Sequence, residues 1–316
     1  MDARSHPCVW LSPVPNAGAC SLFAETAKLM DSTARISELN LSLSMQLSGL
    51  ISREEFFATL FILGCLNGLG SQVVHSVRIL GWTDALLSTF GISAIVWVAC
   101  FGGVRLLLCE RTGKIRPLDL ILGLALLLLI TLPIGALSWL AITILSLYVL
   151  LFTDPSSSQK RGALILLATT VPMLWSRLLF RIFANFILEI DASLIGLLLG
   201  TGHTGNIVRF ADQSASLVIA PPCSSLANVS LAFLTWVTIG QWLAHRSSLK
   251  DLYWCVLAAV SVIAINVTRI SLMGLSEVHY QTIHNHWGDA IANLLSLGLT
   301  VGLCLLGVKR EFFFRL

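Results

Sequence analysis

From Phe56 almost to the C-terminus the chain is apolar, broken only by short polar stretches. No other feature constrains the fold as strongly. Backbone N–H and C=O groups find no water inside hydrocarbon, and a helix satisfies them within itself. Each crossing needs ~20 predominantly apolar residues. The runs at 56–75, 86–108, 118–133, 135–152, 162–182, 225–243, 252–271 and 288–308 predict about eight transmembrane helices. Pro133 and Gly135 divide the long run at 118–152 into two short spans with a tight turn between them. Composition agrees, with 56% hydrophobic residues and 12% charged, about half the charged share of a soluble domain. These values exclude a soluble enzyme, a disordered regulator and a secreted disulfide scaffold. The fold class is therefore an all-α polytopic membrane protein.

Loop charges set the orientation. Arg111, Lys114 and Arg116 lie in one loop, Lys160 and Arg161 in a second, and Arg246 and Lys250 in a third. Lys309, Arg310 and Arg315 follow the last span. Basic loops stay cytoplasmic, and eight spans place all of these segments and both termini inside. The segment 184–200 carries Glu189 and Asp191, costly at the bilayer centre, and is expected to be an interfacial helix. Arg177 and Arg181 sit against the charge rule, and either snorkel or pair with Glu189 or Asp191. The stretches Asn206–Phe210 and Ser216–Ala220 are β-prone and separated by Ala-Asp-Gln, which predicts a small hairpin on the outer face.

Residues 1–54 form a polar N-terminal extension, expected to be cytoplasmic, ahead of a membrane domain at 55–316. It has no basic segment followed by an apolar one, so it does not read as a signal peptide. Leu22, Leu29, Ile36, Leu39, Leu43, Leu47 and Leu50 recur loosely at helical spacing. An amphipathic helix packing on the membrane domain, or one binding a partner, fits that pattern.

Three features carry chemistry. Cys223 follows Pro221 and Pro222 in APPCSSLANVS, which reads as a helix start with Cys223 or Ser224 near the N-cap. The helix dipole there favours a thiolate, and first-turn N–H groups offer donors to an oxyanion. Arg269 lies near the outer end of the seventh span at the level expected for Cys223. An arginine in an apolar helix is expensive and usually functional, although this one is close enough to the interface to snorkel. His279, His284 and His286 precede the eighth span on the same side, and a histidine near a thiol is its usual acid and base. Residues at i and i+2 point to different helix faces, so a metal centre is not expected, and no cofactor is. Asp289 caps the last helix or orients a histidine. The eight cysteines form no CxxC spacing, which argues against zinc and disulfides, and the net charge of +3 gives no reason to expect nucleic acid.

The set resembles the exosortase/archaeosortase family of multi-pass membrane transpeptidases. The resemblance lies in Cys-Ser at a helix start, Asn-x-x-Arg-Ile at Asn266, Arg269 and Ile270, and His-x-x-x-Gly at His284 and Gly288. It covers roughly residues 160–308; the first half agrees only in hydropathy. The resemblance implies Cys223 as nucleophile, with Arg269 and His284 completing a catalytic triad. It implies substrates exported with a C-terminal recognition motif, a transmembrane helix and a basic tail. The acceptor would be a lipid- or glycan-linked amine, or water. The site would face the extracytoplasmic side of the plasma membrane. The chain departs at Ser225, where the family commonly has a small Gly or Ala. His286 competes with His284, and His203 in the hairpin is the next base in line.

A second class of reading is a transporter or membrane component of exopolysaccharide export without peptidase activity. Against it, the sequence has no internal repeat and no paired broken helices at the midplane. An intramembrane aspartyl or metalloprotease ranks last, because paired intramembrane aspartates and HExxH are missing.

Overall fold

The computed structural model describes residues 51–110, 113–154, 157–245, 248–284 and 286–313. The helical pattern expected over 22–50, with Cys8 and Cys20, lies outside the described residues. So do Arg111, Arg246 and Arg315.

Helix α1 spans Arg53–Leu87. A capping box starts it: Ser52 Oγ accepts from the Glu55 N–H and Glu55 returns a bond to the Ser52 N–H. Gly81, at φ 78°, kinks the helix near its far end. A turn at Thr89–Gly91 follows, with Thr89 and Phe90 both at positive φ. Helix α2 therefore begins at Ala94 and ends at Leu107, shorter at its start than the expected span 86–108. Helices α3 (Pro117–Thr131) and α4 (Gly135–Phe152) flank the break at Pro133, as the sequence predicts. A Cβ on Gly135 would come within 3.1 Å of the Gly68 carbonyl, and one on Gly68 would meet Trp139 at 2.8 Å. Glycines on both helices thus let α1 and α4 approach closely.

Helix α5 (Ser158–Thr170) runs through a π-turn at Val171–Trp175 directly into α6 (Ser176–Leu199). Pro172 lacks an N–H and disturbs the hydrogen-bond ladder there, which accounts for the wider turn. The expected separate interfacial helix at 184–200 is thus the continuation of the preceding span, bent at Phe183. The whole is 42 residues long, ~63 Å at 1.5 Å per residue.

Next comes a three-stranded antiparallel sheet, β1 (His203–Thr204), β2 (Ile207–Arg209) and β3 (Ser216–Val218), in that order. The hairpin read from the sequence is its β2–β3 pair, with Val208 opposite Leu217. In the turn, Asp212 accepts from the Ser214 hydroxyl and N–H, which holds its carboxyl below the usual range. Helices α7 (Ser225–Trp242), α8 (Leu249–Met273), α9 (Glu277–Ile283) and α10 (His286–Phe313) complete the chain.

Among the described residues, five helical segments are long and apolar enough to cross a membrane: α1, α4, the continuous α5–α6, α8 and the Ala290–Val308 part of α10. Helices α2 and α3 are apolar but shorter. One apolar core joins α1 to α5 with α7. A second, smaller core packs Leu188, Ala192 and Ile195 of α6 against Val208, Leu217 and Ile219 of the sheet and Val267 and Ile270 of α8. Cys223 and Tyr280 sit on the margin of this second core.

Candidate active site

The chain leaves β3 through Ala220 and turns at Pro221–Cys223 before Ser224 caps α7. Ser224 Oγ accepts from the Leu226 N–H at 3.2 Å, the bond expected of an N-cap serine. Cys223 is half-buried and free of any disulfide. Its own N–H donates to the Ala220 carbonyl at 2.9 Å, which fixes the turn.

Asn266 ties this turn to α8. Its amide Nδ2 donates to the Cys223 carbonyl at 2.8 Å and to Ser225 Oγ at 3.1 Å. Asn266 is buried, so these bonds replace water that cannot reach it. From the other side, Asp191 of α6 accepts from the Ser225 N–H at 3.0 Å. A carboxylate at a helix N-terminus meets both an orphan donor and the positive end of the dipole. Asp191 is 3% exposed, so the acid expected at the interface is in fact turned inward and used. Glu189, Arg177 and Arg181 stay exposed. Among the described residues neither arginine is ion-paired to Glu189 or Asp191.

Arg269 lies three residues beyond Asn266 on α8, on the same side of that helix, and is half-buried. His284 closes α9 as its C-cap, and its N–H donates to the Tyr280 carbonyl at 2.8 Å. The imidazole is exposed and stacks on the Tyr280 ring, with centroids 4.8 Å apart and planes 16° apart. Tyr280 in turn rests near Phe210, at 6.5 Å, on the same core margin as Cys223. The last helix opens at His286, so a break separates His284 from His286 and no single helix carries both. The His-x-x-x-Gly spacing has a structural use: a Cβ on Gly288 would fall on the Ile283 carbonyl, and glycine lets α9 fold back on the start of α10. The side chains of His286 and Asp289 lie outside the described part of the structure.

The remaining histidines are placed elsewhere. His279 bonds through Nδ1 to Ser276 Oγ at 2.8 Å, in the first turn of its own helix. His203 is exposed on β1 and lines a surface cavity of about 370 Å³ with Arg209 and Ser216. Among the described residues no three His, Cys, Asp or Glu side chains group as a metal ion would require.

In the sequence Asn266 appears only within the Asn-x-x-Arg-Ile motif, and Asp191 reads as an interfacial charge. Both are polar residues in apolar helices, which is the signal that marks them. Tyr280 carried no signal, because a stacking partner is visible only in three dimensions. No family model, no curated protein and no solved structure matches the chain.

Proposed function

We propose that the chain is a membrane-embedded cysteine peptidase or transpeptidase of the exosortase/archaeosortase type. It would cleave C-terminal sorting signals of exported proteins on the outer side of the plasma membrane. The observation that carries this reading is the Asn266 bridge. It joins the Cys-Ser turn to the helix bearing Arg269, so that the residues of two separate short motifs meet. The Tyr280–His284 stack on the same core margin supports the third member. The reading takes eight crossings: the five long apolar segments with α2, α3 and α7, and both termini cytoplasmic.

In this mechanism the substrate's transmembrane helix docks against the bundle and its basic tail stays inside. The Cys223 thiolate attacks the scissile carbonyl, and a C–S bond forms as the C–O π pair moves to oxygen. Arg269 balances the charge on that oxyanion. The C–N bond then breaks, and His284 gives its proton to the leaving amine. An incoming amine or water loses a proton to His284, attacks the thioester and expels the thiolate. An amine gives transpeptidation and water gives hydrolysis.

The test is co-expression with a secreted reporter ending in a motif, transmembrane helix and basic tail taken from the source genome. Wild-type protein shortens the reporter and the Cys223→Ala variant leaves it intact. Equal processing by both proteins would sink the peptidase reading and favour transport, which needs no thiol.

A further inference from the structure

The face of α1 that leads to its kink is polar in an otherwise apolar helix. Asn67, Ser71, His75 and Arg78 follow one another at helical spacing and so share one side. They line a cavity of about 440 Å³ that is walled opposite by Pro133 and Gly135, at the turn between α3 and α4. His75 and Arg78 are exposed, and among the described residues no carboxylate lines the cavity. Among the described residues neither is in an ion pair. Among the described residues the cavity therefore presents basic side chains with no acidic partner.

Its level in the bilayer follows from helix geometry. Arg53 opens α1 at the height of the Gly113 loop, to which its N–H is bonded. Arg78 lies ~37 Å further along the helix, more than the ~30 Å of hydrocarbon. It thus reaches the opposite headgroup layer. Trp82, 73% exposed, follows at the depth where tryptophans gather, and Ile79 and Leu80 are also exposed beside it. Val74, on the cavity wall, is exposed too. A basic pocket rimmed by outward-facing apolar side chains suits an anion that carries its own hydrocarbon.

We propose that this cavity binds the phosphate of a glycerophospholipid, with Arg78 and His75 as donors to the phosphate oxygens and Ser71 completing the polar wall; the Asn67 amide is held by the Ile130 and Leu132 carbonyls and Ser138 Oγ. The site is separate from Cys223 and does not depend on the peptidase reading.

Native mass spectrometry of the purified full-length protein in detergent tests it, by titration with dioleoylphosphatidylglycerol, with dioleoylglycerol and with inorganic phosphate. The phospholipid binds and dioleoylglycerol, which lacks phosphate, does not. Arg78→Gln and His75→Gln each weaken phospholipid binding about 10-fold, the loss of one hydrogen bond to a charged group. Arg78→Lys retains most of the affinity, because an ammonium still serves a phosphate as a point charge. Inorganic phosphate binding as tightly as the lipid, and lost in the same variants, keeps the phosphate site but makes free phosphate its source. Equal binding of dioleoylglycerol and phospholipid, or full affinity in both the Arg78→Gln and His75→Gln variants, overturns the proposal.

Discussion

Replacing Asn266 by alanine should loosen the Cys223 turn and lower the stability of the fold around it. The amide makes two bonds, to the Cys223 carbonyl at 2.8 Å and to Ser225 Oγ at 3.1 Å. Each such bond contributes about 1 kcal/mol net, and the part-buried Cys223 carbonyl left without a donor costs up to a further 1–3 kcal/mol or so. The Ser225 hydroxyl can rotate to another acceptor, so its share is the smaller. The sum is about 2–4 kcal/mol for Asn266→Ala, against about 1 kcal/mol for Ser225→Ala, which keeps the bond to the carbonyl. Asn266→Asp should be at least as damaging as alanine, because a carboxylate cannot donate to the Cys223 carbonyl. Thermal unfolding of the purified variants in one detergent gives the ranking. The rate of Cys223 alkylation, followed by peptide mass spectrometry, reports separately on the turn. An Asn266→Ala variant that melts with wild type and alkylates at the wild-type rate would show that the amide does not hold the turn.

Arg269→Lys should cut reporter processing far more than an Arg→Lys change at exposed Arg177, since an ammonium cannot give two parallel bonds to an oxyanion; near-wild-type processing would make Arg269 a snorkelling anchor. His284→Ala should lower processing by ~10²–10⁴-fold while Cys223 still alkylates, and His286→Ala should leave most activity. The reverse ranking in that assay would transfer the acid–base role to His286. Gly288→Ala should displace α9 from the start of α10 at a cost of about 1–3 kcal/mol, seen as a lower melting temperature together with lost processing; a variant that melts and processes like wild type would show that the close approach at Ile283 is not needed.

Helix positions were legible wherever hydropathy alone decides them. The break at Pro133 and the runs that became α4, α7 and α8 follow from apolar length and from proline and glycine punctuation. The β2–β3 hairpin was legible because two short β-prone runs flank a polar turn. The start of α2 was not, because hydropathy is blind to backbone handedness, and the interruption there rests on Thr89 and Phe90 in the left-handed region. The continuity of α5 with α6 was missed for a different reason. Asp191 reads as a charge that hydrocarbon would reject, but its partner is the Ser225 N–H, 34 residues further along the chain. A local reading of the sequence cannot see such compensation. The choice of His284 over His286 rests on the His-x-x-x-Gly spacing, and the break after His284, which puts the two on different helices, was not legible in that spacing.

The same accounting of N–H groups narrows how an oxyanion at Cys223 would be held. The sequence suggested the free donors of a helix start, yet four successive N–H groups already have acceptors. Cys223 donates to Ala220 and Ser224 donates to Pro221. Ser225 donates to Asp191, and Leu226 donates to Ser224 Oγ. Using any of them would first break a bond that shapes the turn. Asp191 also brings a carboxylate to the helix start, where it offsets the positive end of the dipole. These four donors are therefore occupied in advance by the bonds that shape the turn. On the proposed mechanism the developing negative charge would be met by a side chain and not by these four N–H groups. The proposal assigns that role to Arg269, carried by the helix that Asn266 anchors to this turn. On that proposal, rigidity of the Cys223 turn and a cation for the oxyanion would both come from one helix, which would give a physical reason for asparagine and arginine to stand three residues apart.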